Sequence, residues 1–158
     1  MNIIFLDING VLIDDNPPFI SNTFLFNSEA MTNISKLIEI TNSKIVISSN
    51  WKIGMKNNSI YWQSIIQNFR NYGILNSLIS VTPTLCNYRN SYNKSEEISA
   101  WLSENFYVTK YIVISNKYLN TSLDNVLIKT SNEKYFNKLD LYNSIRLLNS
   151  DITLKKMQ

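Results

Sequence analysis

The stretch "IIFLDINGVLI" occupies residues 3–13, and its reading decides the fold. Four apolar residues run into Asp7; Ile8, Asn9 and Gly10 follow, and apolar residues resume at Val11. Asn-Gly between apolar runs is the strongest short-range hairpin signal. On that reading Asp7 merely caps a turn. The same residues also spell an acid at the carboxyl end of a buried strand, with glycine opening a loop beside it. On that reading Asp7 belongs to a site.

The remainder of the chain separates the two. Besides "NIIFL" (2–6), four short segments are β-branched and almost continuously apolar: "KIVIS" (44–48), "LISVT" (78–82), "YIVIS" (111–115) and "NVLIK" (125–129). Such runs mark strands covered on both faces, as in a parallel sheet. Helical patterns lie between them. Residues 28–42 place Met31, Ile34, Leu37, Ile38 and Thr41 on one face, and a second pattern spans 58–73, ending at Gly73. Residues 95–106 group Ile98, Trp101, Leu102 and Phe106, with Ser95 as N-cap. Residues 134–149 align Phe136, Leu139, Tyr142, Ile145 and Leu148. Alternating strands and helices predict an α/β Rossmann-like fold, a five-stranded mainly parallel sheet with helices on both faces. Ligands of such sheets sit at the carboxyl ends of the strands. The segment 11–27, with Pro17-Pro18, reads as a hairpin-like excursion forming a short flap. It is too short to bury a core of its own, so residues 1–158 are expected to form one domain without a large cap.

Composition narrows the chemistry. The 158 residues are 44% hydrophobic and 12% aromatic, which suits a folded domain. No apolar run approaches the roughly 20 residues that cross a bilayer. Cys86 is alone, which forbids an internal disulfide and suits a reducing compartment, so a cytoplasmic location is expected. There is no histidine. That excludes Ser-His-Asp and Cys-His catalysis and leaves Asp, Glu, Lys or Tyr for proton transfer. The net charge of +3 is too mild to indicate nucleic acid, and no basic stripe interleaved with aromatics stands out.

In order, the strand ends read "LDING", "ISSNWK", "VTP", "NKSEEISAWL" leading into "YIVISNKYL", and "VLIKT". This series resembles the haloacid dehalogenase (HAD) superfamily of phosphatases and phosphotransferases. It is most similar to the small capless HAD domains of RNA-repair proteins. Those carry DxDGVL, SSxWR, a "TP" after the third strand, a basic residue before an EIxxWL helix, acids after the fourth strand, and a late VKT-like strand. The resemblance implies a central first strand flanked by the second and fourth. It implies that Asp7 is the nucleophile, a carboxylate able to form an aspartyl-phosphate. Ser48 and Ser49 would cradle phosphate through hydroxyl and backbone N–H groups. Lys94 would stabilise charge on the phosphoryl group, with Arg89 as competitor for that role. Trp51 is assigned to packing, and Asp124 and Lys129 to surface pairing.

Two departures bear on function. The family's second acid, two residues after the nucleophile, protonates the leaving oxygen; here it is Asn9, which cannot exchange a proton at neutral pH. The family's acids after the fourth strand hold Mg²⁺; here they are Ser115 and Asn116, with Lys117 adjacent. Asp7, the Asn9 carbonyl and Asn116 are the remaining candidate ligands, a poor set for an ion that prefers several carboxylates. The expectation is a degenerate phosphatase-like domain with weak or no Mg²⁺-dependent hydrolysis, kept for binding a phosphate ligand, a nucleotide or a protein partner. An active phosphatase or nucleotidase using Asp7, and a nucleotide- or RNA-end-binding domain, are the alternatives. No membrane association is expected.

Overall fold

The computed structural model of the protein describes residues 1–18, 22–85, 93–119 and 121–150. Its strands are β1 (Asn2–Leu6), β2 (Lys44–Ile47), β3 (Leu78–Val81), β4 (Lys110–Ser115) and β5 (Leu127–Lys129). They form one sheet of order β3-β2-β1-β4-β5, with every neighbouring pair parallel. β1 is central. Parallel neighbours need long crossovers, which contain α1 (Ser28–Thr41), α2 (Ile60–Asn71) and α3 (Lys94–Glu104); α4 (Lys138–Asn149) follows β5. Among the described residues no helix is long and apolar enough to cross a membrane.

Strand parity divides the core into two layers. Ile4, Leu6, Ile45, Ile47, Ile112 and Ile114 pack with Met31, Ile34 and Leu37 of α1, Ile65 and Phe69 of α2, and Leu148 of α4. Ile3, Phe5, Val46 and Val113 point the other way, onto Ile98 and Trp101 of α3. Phe5 meets the Trp101 and Tyr111 rings edge-on at 5.4 and 5.8 Å. Each such side chain contributes about 1.5–3 kcal/mol by leaving water. Between β2 and β3 the register slips: Ile45 faces Leu78, but Val46 faces Ser80.

Asparagine starts three of the helices. Asn27 Oδ1 accepts the Ala30 N–H at 2.9 Å and Asn93 Oδ1 the Glu96 N–H at 3.2 Å. Asn137 caps α4 in a reciprocal box with Asp140, which satisfies donors that the first turn leaves open. Burial raises the Asp140 carboxyl above the ordinary carboxylate range, opposed by the hydrogen bond from the Asn137 backbone.

Several expectations need correction. Ser95 lies inside α3, because Asn93 takes the cap, and Phe106 falls past the helix end and is 90% exposed. Leu139 and Tyr142 face solvent. Phe136 precedes the cap of α4 and so does not share its phase; the helix instead turns Ser144 and Leu148 inward, with Leu141 and Ile145 beside them. Residues 125–126 close a 3-10 turn, Thr121–Val126, before β5 begins. Lys129 lies over the Tyr118 ring at 4.5 Å and makes no ion pair with Asp124 among the described residues.

In the described part of the 11–27 excursion no residue belongs to a strand; its ends meet where the Asn27 N–H donates to the Leu12 carbonyl at 2.7 Å, while the Phe24 N–H bonds Ser64 Oγ at 2.8 Å and the Phe26 N–H Asn68 Oδ1 at 3.0 Å, both on α2. Asn68 Nδ2 returns a bond to the Phe24 carbonyl at 2.8 Å. Phe24 and Phe26 then pack on Trp51, at 5.4 and 5.7 Å between rings.

Candidate functional site

Asn9-Gly10 is no two-residue hairpin turn. After β1 the Val11 and Leu12 N–H groups both return to the Ile8 carbonyl, and Gly10 donates to the Ile13 carbonyl. Gly10 has φ +70°, and a Cβ there would lie 2.1 Å from Asn116 Nδ2 and 2.6 Å from Asn132 Oδ1. Only glycine fits between these loops. Its carbonyl accepts the Thr130 hydroxyl at 2.8 Å, tying the loop to the end of β5.

At the carboxyl ends of the strands a polar row crosses the sheet, one residue beyond β1, β2 and β3 and at the last residue of β4. The Asp7 N–H bonds the Ile114 carbonyl, the Ser48 N–H the Leu6 carbonyl, and the Thr82 N–H the Ile47 carbonyl, each at 3.0 Å. The register therefore aligns Thr82, Ser48, Asp7 and Ser115, and parity turns them toward the α3 side of the sheet. All four are buried. Lys94, in the first turn of α3, reaches Asp7 Oδ2 and forms an ion pair with it. Ser115 Oγ donates to the same oxygen at 2.9 Å, while Asp7 Oδ1 accepts the Ile8 N–H at 3.0 Å.

Asp7, Lys94, Ser49 and Asn9 line one cavity of about 380 Å³, together with Asn50, Trp51, Asp15, Glu97, Asn116 and Lys117. Ser48 lies behind that lining, its Oγ buried and without a hydrogen-bond partner among the described residues. Ser49 accepts the Trp51 N–H at 3.3 Å and caps the 3-10 turn Asn50–Met55. Trp51 packs against Phe24, Phe26 and Tyr61. Arg89 and Cys86 lie outside the described residues.

The structure adds groups that the sequence reading left without a role. Asp15 enters the cavity from the excursion. Its carboxylate accepts Asn116 Nδ2 at 3.1 Å and Asn132 Nδ2 at 3.0 Å, and faces Lys117 at 3.6 Å. Asn9 Nδ2 donates to the Asp15 carbonyl at 2.7 Å, so the side chain at the family's acid position holds the excursion. Asn116 Oδ1 is buried without a partner among the described residues. Lys52 and Glu97 form a buried ion pair; Lys52 also bonds Thr82 Oγ1 at 2.8 Å, and Glu97 Oε1 accepts the Leu85 N–H at 2.9 Å. Burial pushes the Lys52 ammonium below its ordinary range, against the opposing pull of Glu97. Glu97 lies one turn after Lys94 on α3, so this pair braces the helix that presents Lys94.

A family model described as the HAD domain in Swiss Army Knife RNA repair proteins matches residues 3–141. The chain belongs to this HAD family. Comparison with curated proteins and with solved structures returned no match. HAD domains generally use Mg²⁺ and carry out phosphatase-type chemistry, with the acid of the first strand at the centre. In this HAD domain, no three His, Cys, Asp or Glu residues gather as a metal-binding group among the described residues.

Proposed function

We propose that this HAD domain binds a phosphate-bearing ligand at the Asp7–Lys94 cavity and hydrolyses phosphomonoesters weakly or not at all with Mg²⁺. The observation that carries the reading is the occupancy of Asp7 Oδ2: the Lys94 ammonium and the Ser115 hydroxyl both donate to it. The Ser115 hydroxyl stands where the family places an acid, and the Lys94 ammonium, at the family's basic position, already pairs with Asp7. Asp15, the next carboxylate, is engaged by two amides and faces Lys117. What remains is one shared carboxylate, the Asn9 carbonyl and Asn116 Oδ1. These residues do not fit a hard dication that wants near-octahedral oxygen ligands.

The same groups suit an anion. Lys94 has three N–H donors and commits one to Asp7. Ser48 Oγ lies buried behind the lining with no partner among the described residues; leaving such a hydroxyl unpaired costs about 1–3 kcal/mol, so a ligand that shifts this wall to reach it gains that bond. Ser49 lines the cavity and caps the 3-10 turn Asn50–Met55, its hydroxyl accepting the Trp51 N–H. Lys117 adds a second cation at the rim, its side chain 64% exposed. Asn9 cannot act as general acid, and loss of that help typically costs about 10²–10⁴-fold in rate. The lone Cys86 suits work in the cytoplasm.

Titration calorimetry with inorganic phosphate, with and without Mg²⁺, tests the reading. Phosphate binds in metal-free buffer, Lys94→Met abolishes the binding, and Mg²⁺ leaves it unchanged. The alternative, an active phosphatase with Asp7 as nucleophile, draws on the unpartnered Asn116 Oδ1 as one available ligand oxygen. Rapid Mg²⁺-dependent turnover that Asp7→Asn abolishes would establish that alternative. Asn9-Gly10 is prone to deamidation, so intact mass accompanies each assay.

A further inference from the structure

A second cavity, of about 640 Å³, opens beside the first and shares Asn9, Asp15, Asn50 and Trp51 with it. Its volume lies in the range of small-molecule sites. Its far wall is aromatic. Phe24, Trp51 and Tyr61 meet pairwise with ring centroids 5.1–5.4 Å apart. Phe24 and Trp51 are buried, whereas Tyr61 is 45% exposed. Tyr61 stacks on Phe24 at 19° between planes and meets Trp51 at 69°, and its exposed ring surface remains for a partner. Asn16, Asn50, Asn57 and Ser59 add amide and hydroxyl groups around this ring. Among the described residues, Asp15 is the only charged one in the lining, and no Lys or Arg contributes.

This lining differs in kind from that of the Asp7–Lys94 cavity. An aromatic face with uncharged donors and acceptors recognises a flat ring with hydrogen-bonding edges. The absence of a lining cation disfavours a second phosphate group there. We infer that the Tyr61 cavity holds the planar, uncharged heteroaromatic part of a monophosphate ester whose phosphate sits at Lys94. The inference rests on the phosphate reading above and extends it to the organic half of the ligand. Tyr61 is then a specificity-determining residue, and the shared wall of Asn50 and Trp51 sets the distance between ring and phosphate.

Five probes test it on the full chain: inorganic phosphate, glycerol phosphate, adenosine monophosphate, adenosine diphosphate and adenosine. Stacking of a base on an aromatic residue is worth about 5- to 150-fold in affinity. Adenosine monophosphate binds at least about tenfold tighter than glycerol phosphate, and adenosine diphosphate binds no tighter than the monophosphate. Tyr61→Leu brings the two monoesters within about twofold of each other and leaves inorganic phosphate unchanged. Tyr61→Phe restores the difference. Equal affinities for both monoesters in the wild type, or a ratio that survives Tyr61→Leu, overturn the inference. If inorganic phosphate does not bind, the phosphate reading fails by itself. Ligand-observed NMR with adenosine then decides: a signal lost in Tyr61→Leu and kept in Tyr61→Phe supports the ring site, and no signal refutes it.

Discussion

Lys52→Met is expected to destabilise the protein more than almost any other single change near the site. The ammonium lies between Glu97, to which it is ion-paired, and Thr82 Oγ1; both members of the pair are 1% exposed at the side chain. Methionine nearly matches the volume but leaves Glu97 as a buried anion. Stranding one partner of a buried pair costs about 3–5 kcal/mol. Glu97 keeps the Leu85 N–H at 2.9 Å, which favours the lower end, about 3 kcal/mol. In a domain of this size that lowers Tm by roughly 6–12 °C. Urea unfolding followed by tryptophan fluorescence measures it. Removing both charges with Lys52→Met/Glu97→Gln should recover most of the loss. In the wild type, Lys52 is depressed by burial. The unfolded chain then binds more protons between that depressed value and the ordinary 10.5, so the Lys52 contribution rises with pH there, and Lys52→Met removes this slope. A single variant within about 1 kcal/mol of wild type, or a double variant as unstable as the sum of its singles, would refute the reasoning.

Asn9→Asp replaces the amide that donates to the Asp15 carbonyl with a group that only accepts, and should cost about 1–3 kcal/mol while restoring little turnover; denaturation and a phosphatase assay check the two halves. Adding Ser115→Asp and Asn116→Asp to it supplies the missing carboxylates, and calorimetry should then detect Mg²⁺ binding absent from the wild type. Gly10→Ala forces a side chain into the space of Asn116 at φ +70° and should destabilise by at least about 2 kcal/mol, read as a shifted urea midpoint. Asp140→Asn should change the pH profile: the raised Asp140 carboxyl makes wild-type stability fall, relative to the variant, as pH rises through the interval between its unfolded and folded values.

The strands were legible because burial on both faces leaves no polar residue inside them: Ile3–Leu6, Ile45–Ile47 and Ile112–Ile114 are wholly buried. Asp7 and Lys94 stood out because each sits at the boundary of a strongly patterned element. The phase of α4 did not, since Asp140 and Ser144 are buried polar residues that apolar periodicity scores as exposed. Asp15 gave no local signal. Its partners Asn116 and Asn132 lie 101 and 117 residues away, and a carboxylate in a proline-containing loop reads as solvated. Lys52 and Glu97 sat inside the quoted motifs, yet a lysine and a glutamate 45 residues apart look like surface charges until the sheet brings them together.

The slipped register between β2 and β3 sets which way the third strand faces. Side chains alternate along a strand, so one extra residue inverts everything after it. Ile79 is that residue: Leu78 faces Ile45, and Ser80 resumes opposite Val46. Before the slip Leu78 packs with the α1, α2 and α4 layer. After it, Ser80 accepts the Trp101 indole N–H at 3.0 Å, and Thr82 accepts Lys52. If Ile79 paired with Val46 in unbroken alternation, Val81 would turn toward α3 and Thr82 toward the opposite layer. Lys52 would lose an acceptor, and a hydroxyl would enter the aliphatic core. The bulge at Ile79 thus corrects the frame at one edge of the sheet: deleting it would leave Ser80 opposite Val46 and Val81 opposite Ile47 in an unbroken register, and Thr82 would still face the residue that braces Lys94.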